Sequence, residues 1–84
     1  MNIKITGKDL KATEAIKDYI EKKLGRLEKY FETDELDVQA MIRIERELQI
    51  AEISASYKGE TFRAVTENKD LYASIDEDMD ILER

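Results

Sequence analysis

Apolar and polar positions alternate at the start of the chain, with Ile3 and Ile5 set against Asn2, Lys4 and Thr6. A period of two predicts a strand with one buried face, and Gly7 is expected to end it. The period then lengthens. Ile16, Tyr19, Ile20, Leu24, Leu27, Tyr30 and Phe31 recur at three- and four-residue spacings. That pattern predicts an amphipathic helix of about 17 residues, roughly 25 Å long. Thr13 is a good N-cap for it, and Glu14 suits the positive end of its dipole. A polar break follows at 32–35.

Alternation then returns in three segments. Val38, Ala40, Ile42 and Ile44 alternate with polar neighbours, as do Ala51, Ile53, Ala55 and Tyr57. Each predicts a strand with one wet side. The phase slips between Leu48 and Ile50, so the pattern leaves the first turn unplaced. Lys58-Gly59-Glu60 reads as a hairpin loop, and Thr61 to Glu67 as the next strand, with Phe62 and Ala64 inward. Asp70 caps a second helix whose stripe is Leu71, Ile75, Met79 and Leu82, flanked by Tyr72. The order is β-α-β-β-β-α. The helical crossover permits parallel pairing of the first two strands, by a right-handed connection. Both helices should cover the same sheet face, because the other face reads polar. The expected fold is an α+β two-layer sandwich with a four-stranded mixed sheet. Residues 1–84 form one domain, with no linker or repeat.

Composition narrows the chemistry. The chain has no Cys and no His. Disulfides, a thiol nucleophile, cysteine-ligated zinc and the commonest general base are therefore excluded. No Ser or Thr has a plausible base partner, so an enzyme is not expected. No apolar run approaches the roughly 20 residues that span a bilayer, and no signal peptide opens the chain. A cytoplasmic domain is expected, with no cofactor, metal, membrane or small-molecule partner. Asp76-Glu77-Asp78-Met79-Asp80 superficially resembles a calcium loop. It lacks the sixth-position Gly and falls on a predicted helix, where an acidic start suits the dipole.

Charge is unevenly distributed. The formal net charge is −6, but residues 1–29 carry +3 and residues 30–84 carry −9. On the first helix, Lys22, Arg26 and Lys29 fall within a sector about 60° wide, and Lys23 can snorkel toward it. Three cations on successive turns form a row suited to a chain of phosphates. The same pattern also suits a solvated helix face supported by pairs with Asp18 and Glu28. Tyr19, Tyr30 and Tyr72 can stack on bases, or pack with their hydroxyls at the edge of the core. Arg43, Arg63 and Lys4 share the wet sheet face with Glu45 and Glu52, which predicts cross-strand charge pairs.

Several stretches together resemble the ribosome hibernation-promoting factor family, also called protein Y or ribosome-associated inhibitor, in its N-terminal domain. They are Met1 to Lys8, Thr13 to Ile20, Leu27 to Tyr30, Phe62-Arg63-Ala64, Asp70 to Asp76 and Leu82-Glu83-Arg84. They occur in the family's order and at its spacings. The resemblance implies the same β-α-β-β-β-α fold and a partner: the small ribosomal subunit and its rRNA. Family members lie in the channel between head and body, over the places of mRNA and of the A- and P-site tRNAs, and block translation. Carried over by position, Lys22, Lys23, Arg26 and Lys29 match the first-helix RNA contacts, and Arg84 the start of the second-helix set. Four or five engaged phosphates would give a slope of log K against log salt of about −3 to −4.

The second helix departs from the family. Asp76, Glu77, Asp78 and Asp80 crowd its first half, and Asp78 falls close to the apolar stripe, so it is expected either to reach solvent at the helix margin or to make the helix pack differently. Family members often carry an apolar residue near 78 and a Lys at 81, where this chain has Asp78 and Ile81. Nothing corresponds to the C-terminal dimerisation domain of longer relatives, so a monomer or weak dimer is expected. The competing expectation is a protein-binding or self-associating module using its exposed sheet face or edge strand.

Overall fold

The computed structural model describes residues 2–8, 10–33 and 35–83. The elements run β1 (Asn2–Lys8), α1 (Glu14–Phe31), β2 (Asp37–Glu45), β3 (Leu48–Tyr57), β4 (Glu60–Asn68) and α2 (Leu71–Leu82). They form a four-stranded sheet in the order β1-β2-β3-β4, with β1 parallel to β2 and the other pairs antiparallel. The expected α+β sandwich is the observed one.

Each helix begins where a side chain supplies a missing backbone acceptor. The Thr13 hydroxyl accepts from the Ile16 N–H, and the Asp70 carboxylate accepts from the Tyr72 N–H at 3.0 Å. α1 stops at Glu32, which takes a left-handed conformation (φ 54°) and returns its N–H to the last turn. One core joins the layers. Ile20, Leu24 and Leu27 of α1 and Leu71, Ile75, Met79 and Leu82 of α2 pack with Val38, Ala40, Ile42, Ala51, Ile53, Ala55 and Ala64 of the sheet. Both helices therefore lie on one face.

Three details differ from the pattern reading. Gly7 does not end β1; it pairs with Ile42, and the strand runs on to Lys8. Its lack of a side chain serves a close approach, since a Cβ there would overlap the Leu10 carbonyl oxygen. The phase slip also has a cause. Glu45 pairs with Leu48 across a two-residue turn in which Arg46 has φ 59°. Gln49 then takes a core-side position at the sheet's end, where its amide donates to the Lys69 carbonyl at 3.0 Å. Its own carbonyl accepts from the buried Ser74 hydroxyl at 2.9 Å. Ile50 consequently falls on the opposite face, between Arg43 and Glu67. The next turn follows expectation. Lys58 and Gly59 both have positive φ, as a two-residue type I′ hairpin requires.

The third difference is Asp78. It neither reaches solvent nor displaces the helix; it is fully buried where α2 meets β4.

Candidate nucleic-acid interface

α1 holds its cations on a rod fixed by its apolar stripe. Ile20, Leu24 and Leu27 are fully buried, so the helix cannot roll without exposing them. Lys22, Arg26 and Lys29 then emerge on the outer side, spaced about 6 Å and 4.5 Å along the axis.

Their environments differ sharply. Lys22 and Lys29 are exposed, and among the described residues no carboxylate lies within ion-pair distance of either. Lys23 and Arg26 face α2. The Lys23 ammonium lies 3.7 Å from Asp76 and 5.3 Å from the centre of the Tyr19 ring. The Arg26 guanidinium donates to Glu83 Oε2 at 2.9 Å and lies 3.8 Å from Asp80. The expected partners within α1, Asp18 and Glu28, form no such pair with these cations. Arg84 lies outside the described residues.

Sequence reasoning missed these interhelical partners. The signal was present in the acidic run of α2. It became a partner set for α1 only because both stripes pack on one sheet face, bringing residues 57 positions apart into contact.

Asp76 holds more than Lys23. Tyr19 donates its hydroxyl to Asp76 at 2.6 Å and meets Tyr72 edge to face, with ring centres 4.8 Å apart. This bond to a carboxylate is the main reason the Tyr19 phenol is pushed up to about 12; desolvation and the charge of Asp76 add to it. Tyr19 is thus committed to the helix crossing. Tyr30 stands half exposed, edge-on to Phe31 at 5.2 Å.

The open sheet face carries the expected charge pairs. Arg43 bonds Glu45 and Glu52, each at 3.2 Å, and Arg63 also pairs with Glu52. Arg43 and Arg63 are thus matched by carboxylates on their own face, whereas Lys4 forms no such pair among the described residues. Along α2, the segment from Asp76 to Asp80 is helical, but it begins at the middle of the helix and no acid lies in the first turn, so the expected acidic start that suits the dipole is not observed. Among the described residues no cluster of three or more carboxylates is placed to hold a metal ion. No helix there is long and apolar enough to cross a membrane.

Comparison with known proteins agrees with this architecture. Residues 3–84 match the family model described as Sigma 54 modulation protein / S30EA ribosomal protein. The chain is similar to the crystal structure of the Thermus thermophilus Protein Y N-terminal domain, with a TM-score of 0.90 and 42% identity, covering 99% of this chain and 92% of that one. It is 36% identical to the ribosome hibernation promoting factor of Azotobacter vinelandii, over all of this chain and 78% of the relative. It is 32% identical to the factor of the same name from Salmonella typhimurium, over all of this chain and 87% of the relative.

Proposed function

The chain belongs to the Sigma 54 modulation protein / S30EA ribosomal protein family, and from that premise we propose that it is a ribosome hibernation factor. It binds the small ribosomal subunit over the mRNA and tRNA channel and halts translation by occupancy, without chemistry. Lys22, Lys23, Arg26 and Lys29 are the phosphate contacts, and Arg84 adds to them.

The observation that carries this reading is the exposure of Lys22 and Lys29 on the outer side of a helix whose opposite face is locked in the core, with Arg26 and Lys23 beside them at the border with α2. Such a row recognises the path of a phosphate backbone and little of its sequence. A rigid support matters because the cations are ordered before binding, so less entropy is lost on contact. The domain's net charge of −6 does not oppose this, since screening confines each interaction to about 8 Å at physiological salt.

The test is co-sedimentation with purified bacterial small subunits across a salt series. The unaltered chain should pellet with subunits at low salt and be released as salt rises. Combined Lys22→Glu, Arg26→Glu and Lys29→Glu should abolish pelleting while the circular dichroism spectrum stays that of the folded domain. Undiminished pelleting of the triple variant would remove the basic row from the account.

A further inference from the structure

Two of the four cations already hold anions. Arg26 is shared between Glu83 and Asp80, and Lys23 is held by Asp76. We propose that the carboxylates of Asp76, Asp80 and Glu83 act as an internal stand-in for RNA phosphate, so that Lys23 and Arg26 reach RNA only by exchanging one anion for another. The proposal rests on the RNA-binding role given above and sets how that surface is regulated.

α2 itself gives no reason for these acids at its far end. Asp80 and Glu83 sit in and just beyond its last turn, which has no basic residue. Negative charge there opposes the helix dipole. What offsets this is Arg26, whose guanidinium presents the same fork of donors to a carboxylate as to a phosphate.

The contact is built to be exchanged. The Arg26 side chain is 46% exposed, so an incoming phosphate can reach it without opening the core. Surface ion pairs contribute little to stability, so the pair competes without locking. Glu83 is the fixed member. Its side chain is only 22% exposed, and its second oxygen is buried without a partner. It therefore stays beside Arg26 after exchange and repels the phosphate that has replaced it.

This has a measurable signature. Each phosphate neutralised contributes about 0.7 to 0.9 to the salt slope. A cation taken from a carboxylate contributes less, because the freed carboxylate recruits a counterion in its turn. The unaltered chain should thus show a slope near that of two or three phosphates, about −1.4 to −2.7, and not the −3 to −4 of a fully available row.

The experiment compares the unaltered chain, Asp80→Asn with Glu83→Gln, and a control pair, Glu47→Gln with Glu60→Gln, on purified bacterial small subunits. The control makes the same change in net charge on exposed residues of the two hairpins. Thermal melts establish that each variant is folded. Relative to the control, the α2 variant should bind up to about fivefold tighter at 150 mM salt, the scale set by releasing a surface ion pair. Its slope should also steepen by about 0.7 to 0.9. Equal gains in both variants, or no gain or weaker binding in the α2 variant, would overturn the stand-in while leaving the ribosomal reading intact. Absence of binding by every protein even at low salt would overturn both.

Discussion

Asp78 of α2 lies beneath β4 with its Oδ1 2.8 Å from the hydroxyl of Thr66. That hydroxyl is also 2.7 Å from the Ser74 carbonyl oxygen. One hydroxyl proton cannot serve two acceptors. A protonated Asp78 resolves the count by donating to Thr66, which then donates to Ser74. It also leaves the buried, unpartnered Oδ2 as a neutral carbonyl oxygen, far less costly there than half of a carboxylate. Burial accordingly pushes the Asp78 carboxyl up to about 7, with Glu77 and Glu52 pushing the same way; only when the Thr66 hydroxyl turns to donate to the ionised carboxylate does it oppose them.

The pH dependence follows in sign. The unfolded chain releases this proton near the ordinary 3.8, and the folded chain keeps it to about 7. The contribution of Asp78 to stability is therefore greatest below about pH 4, falls as pH rises to about 7, and levels off above. The loss is up to about 4 kcal/mol, at about 1.4 kcal/mol per pH unit. Urea midpoints at pH 4.5 and 7.5 should show it, and Asp78→Asn should flatten the difference. Equal midpoints in the unaltered chain would refute the buried neutral acid.

Tyr19 ties the helices through Asp76. Tyr19→Phe should cost about 1 kcal/mol, the scale of one hydrogen bond, more if Asp76 stays desolvated. The same change should delete the latest step in a titration of tyrosine absorbance, since this phenol ionises only near 12. Loss of an earlier step instead would assign the raised phenol to another of the chain's four tyrosines.

The cations should separate by stability as well as by binding. Arg26→Glu removes two ion pairs and sets a fourth carboxylate beside Asp76, Asp80 and Glu83. It should lower stability by about 1 to 2 kcal/mol. Lys22→Glu and Lys29→Glu, with no such partner among the described residues, should stay within about 0.5 kcal/mol. Thermal melts at low salt are the measurement. Equal losses at all three sites would contradict the ion-pair assignment.

Gly7→Ala should destabilise by about 1 to 3 kcal/mol, because its Cβ would meet backbone and not a yielding side chain. A melt unchanged from the parent would show that the segment at Leu10 moves freely.

Most of the layered architecture could be read from periodicity, because each element exposes one face and buries the other. The stripe through Ile16, Ile20, Leu24 and Leu27 and the alternation through Ala51, Ile53 and Ala55 leave little choice. What stayed hidden depended on neighbours remote in sequence. Gln49 stands where an apolar residue is expected because its side-chain amide bonds the Lys69 carbonyl in the connection between β4 and α2. Asp78 stands on the buried side because Thr66 of β4 receives it. The cation row itself was legible on the helix wheel. Which of its members are held by carboxylates was not, since that is decided by the crossing of α1 and α2.

The position of β1 at the sheet's edge bears on how the molecule assembles as it is made. β2, β3 and β4 are joined by two-residue turns, so they can zip up locally. β1 must instead find a partner 35 residues away, with Asn2 aligned to Asp37. An 18-residue helix alone in water is only marginally stable. A nascent chain that has emerged only through α1 therefore possesses every lysine of the row and no scaffold to align them. Synthesis must proceed through the meander that follows before the front of the molecule acquires its shape.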